Sequence, residues 1–123
     1  MATQKRILVA EDEKPMAHAL QLKLKNSGYE VSVAYNGQEA LDLVNKEKID
    51  LVLLDLVMPV LDGFGFLESL KKEQKTIPVI ITSNLSQGED KEKAESLGVK
   101  GFLVKSDTPL SKIVSTVDKF FKK

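Results

Sequence analysis

The feature that most constrains the fold is a regular alternation of short apolar runs with longer amphipathic stretches, repeated five times along the chain. Residues 5–10, 30–35, 50–54, 78–83 and 101–105 read as strands, and residues 15–27, 37–47, 63–73, 87–97 and 109–121 as helices. Strand and helix in strict alternation make a parallel sheet, because each helix carries the chain back to the starting edge, and the helices then cover both faces. Ile7-Leu8-Val9, Leu51-Val52-Leu53-Leu54 and Val79-Ile80-Ile81 are apolar without interruption, as strands buried on both faces are. Glu30 to Tyr35 alternates instead, with Val31, Val33 and Tyr35 on one side. That pattern suits a strand with one face more exposed, at an edge of the sheet.

An edge position for the second strand fits the order 2-1-3-4-5, an α/β, flavodoxin-like (βα)5 doubly wound parallel sheet. Local punctuation agrees. Gly28 and Gly98 stand where helices end in a left-handed residue, Thr108-Pro109 reads as an N-cap with proline at the first helical position, and Asp62-Gly63 reads as a turn into the third helix. Leu20 to Lys25 alternates like a strand, but Met16, Ala19, Leu20 and Leu24 make one helical face and leave Leu22 outside it. At 123 residues the chain suits a single domain, 1–123.

The bulk chemistry removes several function classes. Zero formal net charge gives no general attraction to nucleic acid or an anionic membrane. The absence of cysteine removes disulfides and thiolate metal sites. The N-terminal residues Met1 to Arg6 lack the apolar stretch of a signal peptide, and no segment is long enough to span a bilayer, so a cytoplasmic protein is expected.

Open α/β sheets do their chemistry beyond the C-terminal ends of the strands. Asp55 ends the third apolar run there, Glu11-Asp12-Glu13 follow the first, Lys105 ends the fifth, and Thr82-Ser83-Asn84 end the fourth. Crowded carboxylates repel one another, and a hard cation that keeps its waters, Mg²⁺, relieves the repulsion. Each feature also has a plainer explanation. The acidic triplet serves equally well as a helix N-terminus, Lys105 as a solvated lysine, and Ser83-Asn84 as a capping loop. An acid closing a buried strand is harder to explain without a partner or a use.

Taken together these segments resemble the receiver domains of two-component response regulators, over essentially the whole chain. Ile7-Leu-Val-Ala-Glu-Asp-Glu13 resembles the acidic pair after the first strand, and Asp55-x-x-Met58-Pro59-x-x-Asp62-Gly63 the phospho-acceptor loop. Pro78-Val-Ile-Ile-Thr-Ser83 resembles the fourth strand with its hydroxyl, and Gly101-Phe-Leu-Val-Lys105 the fifth with its lysine. The resemblance implies that Asp55 accepts a phosphoryl group from a histidine kinase or histidine phosphotransfer protein. It implies that Asp12, Asp55 and the carbonyl of Val57 bind Mg²⁺, with Glu11 acting through water, and that Lys105 and Ser83 hold the phosphoryl oxygens. Counted forward from Pro78 and back from Lys105, the family's hydroxyl falls on Ser83, and because adjacent strand residues point to opposite faces Thr82 is expected to point away from the site. Phe102 falls at the aromatic switch position, beside the equally available reading of an aromatic packed on a strand. The expected output is a stand-alone switch, with no enzyme activity beyond its own phosphorylation and dephosphorylation. It would bind a protein target through the face of the fourth helix, fifth strand and fifth helix, as a monomer or a weak phosphorylation-dependent dimer.

Two positions depart from the family pattern. Ser106 follows Lys105 where proline is usual, often after a cis bond. A trans bond with a shifted loop is expected, or else a strained cis bond. Asn84 stands where a small residue is usual. Competing readings are weaker. A haloacid-dehalogenase-type phosphatase wants a second Asp two residues after the first, where Val57 stands. A flavin-binding protein wants a phosphate-cradling loop, where Glu11-Asp12-Glu13 repel phosphate. The alternative of a receiver-like scaffold that is never phosphorylated stays open. His18 is expected to be solvated, and the polar start of the fourth helix, from Gln87, to be weakly held.

Overall fold

Five strands form one parallel sheet in the computed structural model, which describes residues 4–84 and 88–122. They are β1 (Arg6–Ala10), β2 (Glu30–Ala34), β3 (Leu51–Leu54), β4 (Val79–Ser83) and β5 (Gly101–Val104), in the order β2-β1-β3-β4-β5. The helices are α1 (Lys14–Asn26), α2 (Gly37–Lys46), α3 (Gly63–Lys72), α4 (Gly88–Ser96) and α5 (Leu110–Phe120). The element pattern and strand order are those expected from the sequence. A short 3₁₀ turn over Lys105–Asp107 is the one addition among the described residues. Gln87, the expected first residue of the fourth helix, lies outside them.

The two-fold repeat of side chains along each strand divides the core. Leu8, Ala10, Val52, Leu54, Val79 and Ile81 point to the face covered by α2, α3 and α4. Ile7, Val9, Leu51, Leu53 and Ile80 point to the face covered by α1 and α5. β1, β3 and β4 are therefore almost wholly buried, whereas β5, the edge opposite β2, is half-buried along its length. On α1 the buried line is Ala17, Leu20 and Leu24, with Met16 packed beside it and Leu22 62% exposed.

Helices α1, α3 and α4 each stop where the chain turns left-handed. After α1, Gly28 (φ 99°) donates to the Lys25 carbonyl and Tyr29 to that of Leu24, so two end carbonyls are satisfied and Tyr29 is placed against Leu24. Gly98 (φ 89°) repeats the arrangement after α4. α3 ends the same way, but on Gln74 (φ 58°), a residue with no glycine signal. One expected cap is not formed. Thr108 does not cap α5: its hydroxyl donates to the Val104 carbonyl at 2.7 Å and closes the 3₁₀ turn, and Pro109 takes the N-cap position.

Candidate functional site

The register of the sheet brings the candidate residues together. Ala10 and Leu54 are the last paired residues of β1 and β3, and Asp55 donates its N–H to the Ala10 carbonyl. Glu11 donates its N–H to the Ala34 carbonyl on the other side. Glu11 and Asp55 thus leave neighbouring strands at the same edge. Ser83 and Val104 are the last pair of β4 and β5, which puts Lys105 one residue beyond that edge.

Lys105 is the hub. Its Nζ lies 2.7 Å from Glu11 Oε1, 3.0 Å from Asp55 Oδ2 and 3.3 Å from Glu13 Oε1. Each inner carboxylate is held a second time from the backbone. Glu11 Oε2 accepts from the Glu13 N–H at 3.0 Å and Asp55 Oδ1 from the Val57 N–H at 3.2 Å. The Glu11 side chain is 1% exposed and that of Asp55 6%. Burial pushes the Glu11 carboxyl up from its ordinary value, and the hydrogen bonds from Lys105 and the Glu13 amide oppose that push. Burial pulls the Lys105 ammonium down, but its bonds to Glu11 and Asp55 outweigh this and leave it above the ordinary lysine range. Lys105 is therefore a firmly charged cation.

Glu11, Asp12 and Asp55 each place a carboxylate oxygen within 4.8 Å of the others. Three hard oxygen donors at this spacing, one of them Asp12 reaching solvent, fit a Mg²⁺ ion that keeps several waters. One lysine against four carboxylates leaves the cluster short of positive charge, so a dication and the lysine complement each other here. The acidic triplet does not serve as a helix cap. Glu13 occupies the N-cap of α1 without a side-chain cap bond, and Glu11 turns inward to Lys105.

Ser83 is fully buried at the end of β4, on the face shared by Val79 and Ile81. Phe102 pairs with Ile81 and packs half-buried against that same cluster, so the two expected switch residues share a sheet face. Val57 is exposed at the rim. The Lys105–Ser106 bond is trans. Gly63, at the start of α3, lets the helix approach the end of β3: its N–H donates to Leu56 O, and a Cβ there would stand 2.6 Å from the Asp55 carbonyl oxygen. Asp62 caps α3 by accepting from the Gly65 N–H at 2.8 Å. Sequence reasoning assigned Glu13 no role of its own; its place on the lysine follows from the turn into α1. An open depression of about 490 Å³ between α1 and the 3₁₀ turn is lined by Glu13, Pro15, Met16, Ala19, Asn84, Lys105 and Ser106.

Comparison with known proteins agrees with this geometry. Residues 7–118 match the response regulator receiver domain family, and the chain belongs to it. The chain is 38% identical over 86% of its length to a probable transcriptional regulator, ycf27, of Cyanidium caldarium, and 36% identical over 89% to the response regulator GtcR of Aneurinibacillus migulanus. These matches span 42% and 45% of the relatives' own lengths. Among solved structures, the receiver domain of a Francisella response regulator superposes with a TM-score of 0.89 at 33% identity, covering 97% of this chain and 98% of that one. The chemotaxis protein CheY4 of Vibrio cholerae superposes at 0.87 with 26% identity, covering 95% and 98%. No helix among the described residues is long and apolar enough to cross a membrane.

Proposed function

We propose that residues 1–123 form one receiver unit in which Asp55 accepts a phosphoryl group from a phosphohistidine of a histidine kinase or phosphotransfer protein. The observation that carries this reading is the Lys105 ammonium 3.0 Å from Asp55 Oδ2 at the mouth of a fixed carboxylate cluster. An Asp55 carboxylate oxygen attacks phosphorus, the new P–O bond forms as the P–N bond breaks, and the departing imidazole takes its proton from solvent. The product is an acyl phosphate, a covalent state that serves as the signal. Phosphoryl transfer is largely positioning and charge neutralisation. Lys105 is already charged and placed, and exchanges carboxylate for phosphoryl oxygens. Ser83 donates its hydroxyl to another phosphoryl oxygen. Glu11, Asp12, Asp55 and the Val57 carbonyl would hold Mg²⁺, which supplies further neutralisation of the transferring oxygens.

The readout follows from which bonds change. When Lys105 leaves Glu11 and Asp55, the end of β5 shifts, and Phe102, two residues before Val104, is on the path to the α4–β5–α5 face. A protein target is proposed to bind there, with the domain monomeric or weakly dimeric when phosphorylated, in the cytoplasm, and with only self-catalysed loss of the phosphoryl group.

The test is intact mass after incubation with acetyl phosphate, with Mg²⁺ or with chelator, for the wild type and Asp55→Asn. One added phosphoryl mass on the wild type, dependent on the metal and absent from the variant, supports the reading. An unmodified wild type supports the scaffold alternative instead.

A further inference from the structure

β4 and β5 pair through Ser83 and Val104, and there the strands end. One side chain extends the connection. Asn84 Oδ1 accepts a hydrogen bond from the backbone N–H of Ser106 at 2.7 Å. The amide oxygen thus adds one link beyond the last backbone pair. The donor exists only because residue 106 is not a proline, which has no N–H. The two positions at which this chain departs from the receiver pattern are therefore bonded to each other.

The link has leverage on the site. Asn84 is covalently next to Ser83, and Ser106 is covalently next to Lys105. On the reading that Asp55 is phosphorylated, which this inference rests on, the Ser83 hydroxyl and the Lys105 ammonium must meet one phosphoryl group from two different strands. The Ser106 amide is a firm anchor because the turn around it is closed by the Thr108 hydroxyl on the Val104 carbonyl at 2.7 Å. Lys105 is held at its other end by Glu11 and Asp55. A pull on Ser106 is thus passed to Lys105.

We propose that Asn84 is a positioning residue: its carboxamide clamps the ends of β4 and β5 through the Ser106 amide and sets the spacing at which Ser83 and Lys105 are presented to the phosphoryl group. The clamp is a single hydrogen bond between a side chain and the backbone, so losing either the carboxamide or the N–H removes it. Asn84 acts on the site through the Ser106 amide, so its effect falls on the rate of the bound reaction more than on donor binding.

Four variants test this: Asn84→Ala, Ser106→Pro, the two combined, and Ser106→Ala, which keeps the N–H. Two quantities are read, the hydrogen exchange of the residue 106 amide by NMR where an amide is present, and the rate of phosphorylation by acetyl phosphate with Mg²⁺ as donor concentration is varied. Asn84→Ala is expected to speed exchange at Ser106 and to lower the maximal phosphorylation rate roughly two- to tenfold, the range set by one hydrogen bond, at unchanged half-saturating donor. Ser106→Pro is expected to match it, the double variant to be no slower than either single, and Ser106→Ala to follow the wild type. Unchanged amide exchange in Asn84→Ala overturns the clamp itself. A full rate in either single variant, or multiplied losses in the double, overturns its role in positioning. A wild type that takes no phosphoryl group fails the proposed function as well, and is told apart because the amide exchange still reports the clamp.

Discussion

Replacing Lys105 with methionine is the most informative change to stability. Methionine keeps much of the apolar stem and removes the charge. In the wild type that charge serves two nearly inaccessible carboxylates, Glu11 at 2.7 Å and Asp55 at 3.0 Å. Removing one partner of a buried ion pair costs about 3–5 kcal/mol, since the other charge is left without compensation. The loss has a ceiling, because Glu11 can take up a proton instead. Starting from its ordinary value of 4.5, that proton costs about 5 kcal/mol at pH 8 and less than about 1 kcal/mol at pH 5. We therefore expect a loss of about 3 kcal/mol at pH 8, a fall in Tm of about 12 °C for a domain this size, shrinking to a few degrees at pH 5. The sign follows from linkage. Glu11 is raised in the folded protein, so its proton-linked stability is present below 4.5 and lost as pH rises through the folded value, and removing Lys105 raises that value further. Lys105 is also raised, so in the wild type its contribution is whole below 10.5 and lost only in more alkaline solution. Added Mg²⁺ is expected to restore part of the variant's stability at pH 8. Calorimetry of both proteins at the two pH values, with and without Mg²⁺, decides the matter. A pH-independent loss, or a fall under about 3 °C at pH 8, would refute the account of the buried cluster.

Three further outcomes follow from local geometry. Gln74 holds a left-handed φ of 58° at the end of α3, so Gln74→Gly is expected to raise stability by about 0.5–1 kcal/mol in chemical denaturation, against the usual cost of adding glycine. Gly63→Ala would press a Cβ against the Asp55 carbonyl oxygen at 2.6 Å and Leu56 Cα at 2.7 Å. Because both are backbone, about 2 kcal/mol of stability should be lost, with slower phosphorylation as the acceptor strand end shifts. Asp62→Ala removes the cap on the Gly65 N–H and should cost about 1 kcal/mol in the same denaturation assay, without the effect on phosphorylation rate.

Much of the fold was legible because its signals are local. Uninterrupted apolar runs marked β1, β3 and β4, the alternation in Glu30–Tyr35 marked an edge, and Gly28 and Gly98 marked two helix ends. The site was legible to the extent that strand ends converge. Asp55, Glu11 and Lys105 could be brought together from the sheet order alone, and hydrogen bonds join them. What escaped depends on choices between partners. Thr108 had two ways to use its hydroxyl, and the turn after Lys105 outcompeted the helix end. Gln74 carries no sequence mark of its left-handed backbone, which goes with backbone bonds at the helix end, Gln74 N–H to the Lys71 carbonyl and Lys75 N–H to that of Leu70. The meeting of Asn84 and Ser106 was hidden because each was read as a separate departure, although the pairing of Ser83 with Val104 sets both one or two residues beyond the same rung.

The central claim is that Asp55, and no other group in the cluster, takes the phosphoryl group. Borohydride reduces an acyl phosphate of aspartate to homoserine and leaves free carboxylates untouched, so peptide mapping after reduction locates the acceptor. The account predicts homoserine at position 55 alone, only after exposure to donor with Mg²⁺. Reduction at Asp12 or Asp62 in place of position 55, or a stable phosphate ester on Ser83, would contradict it.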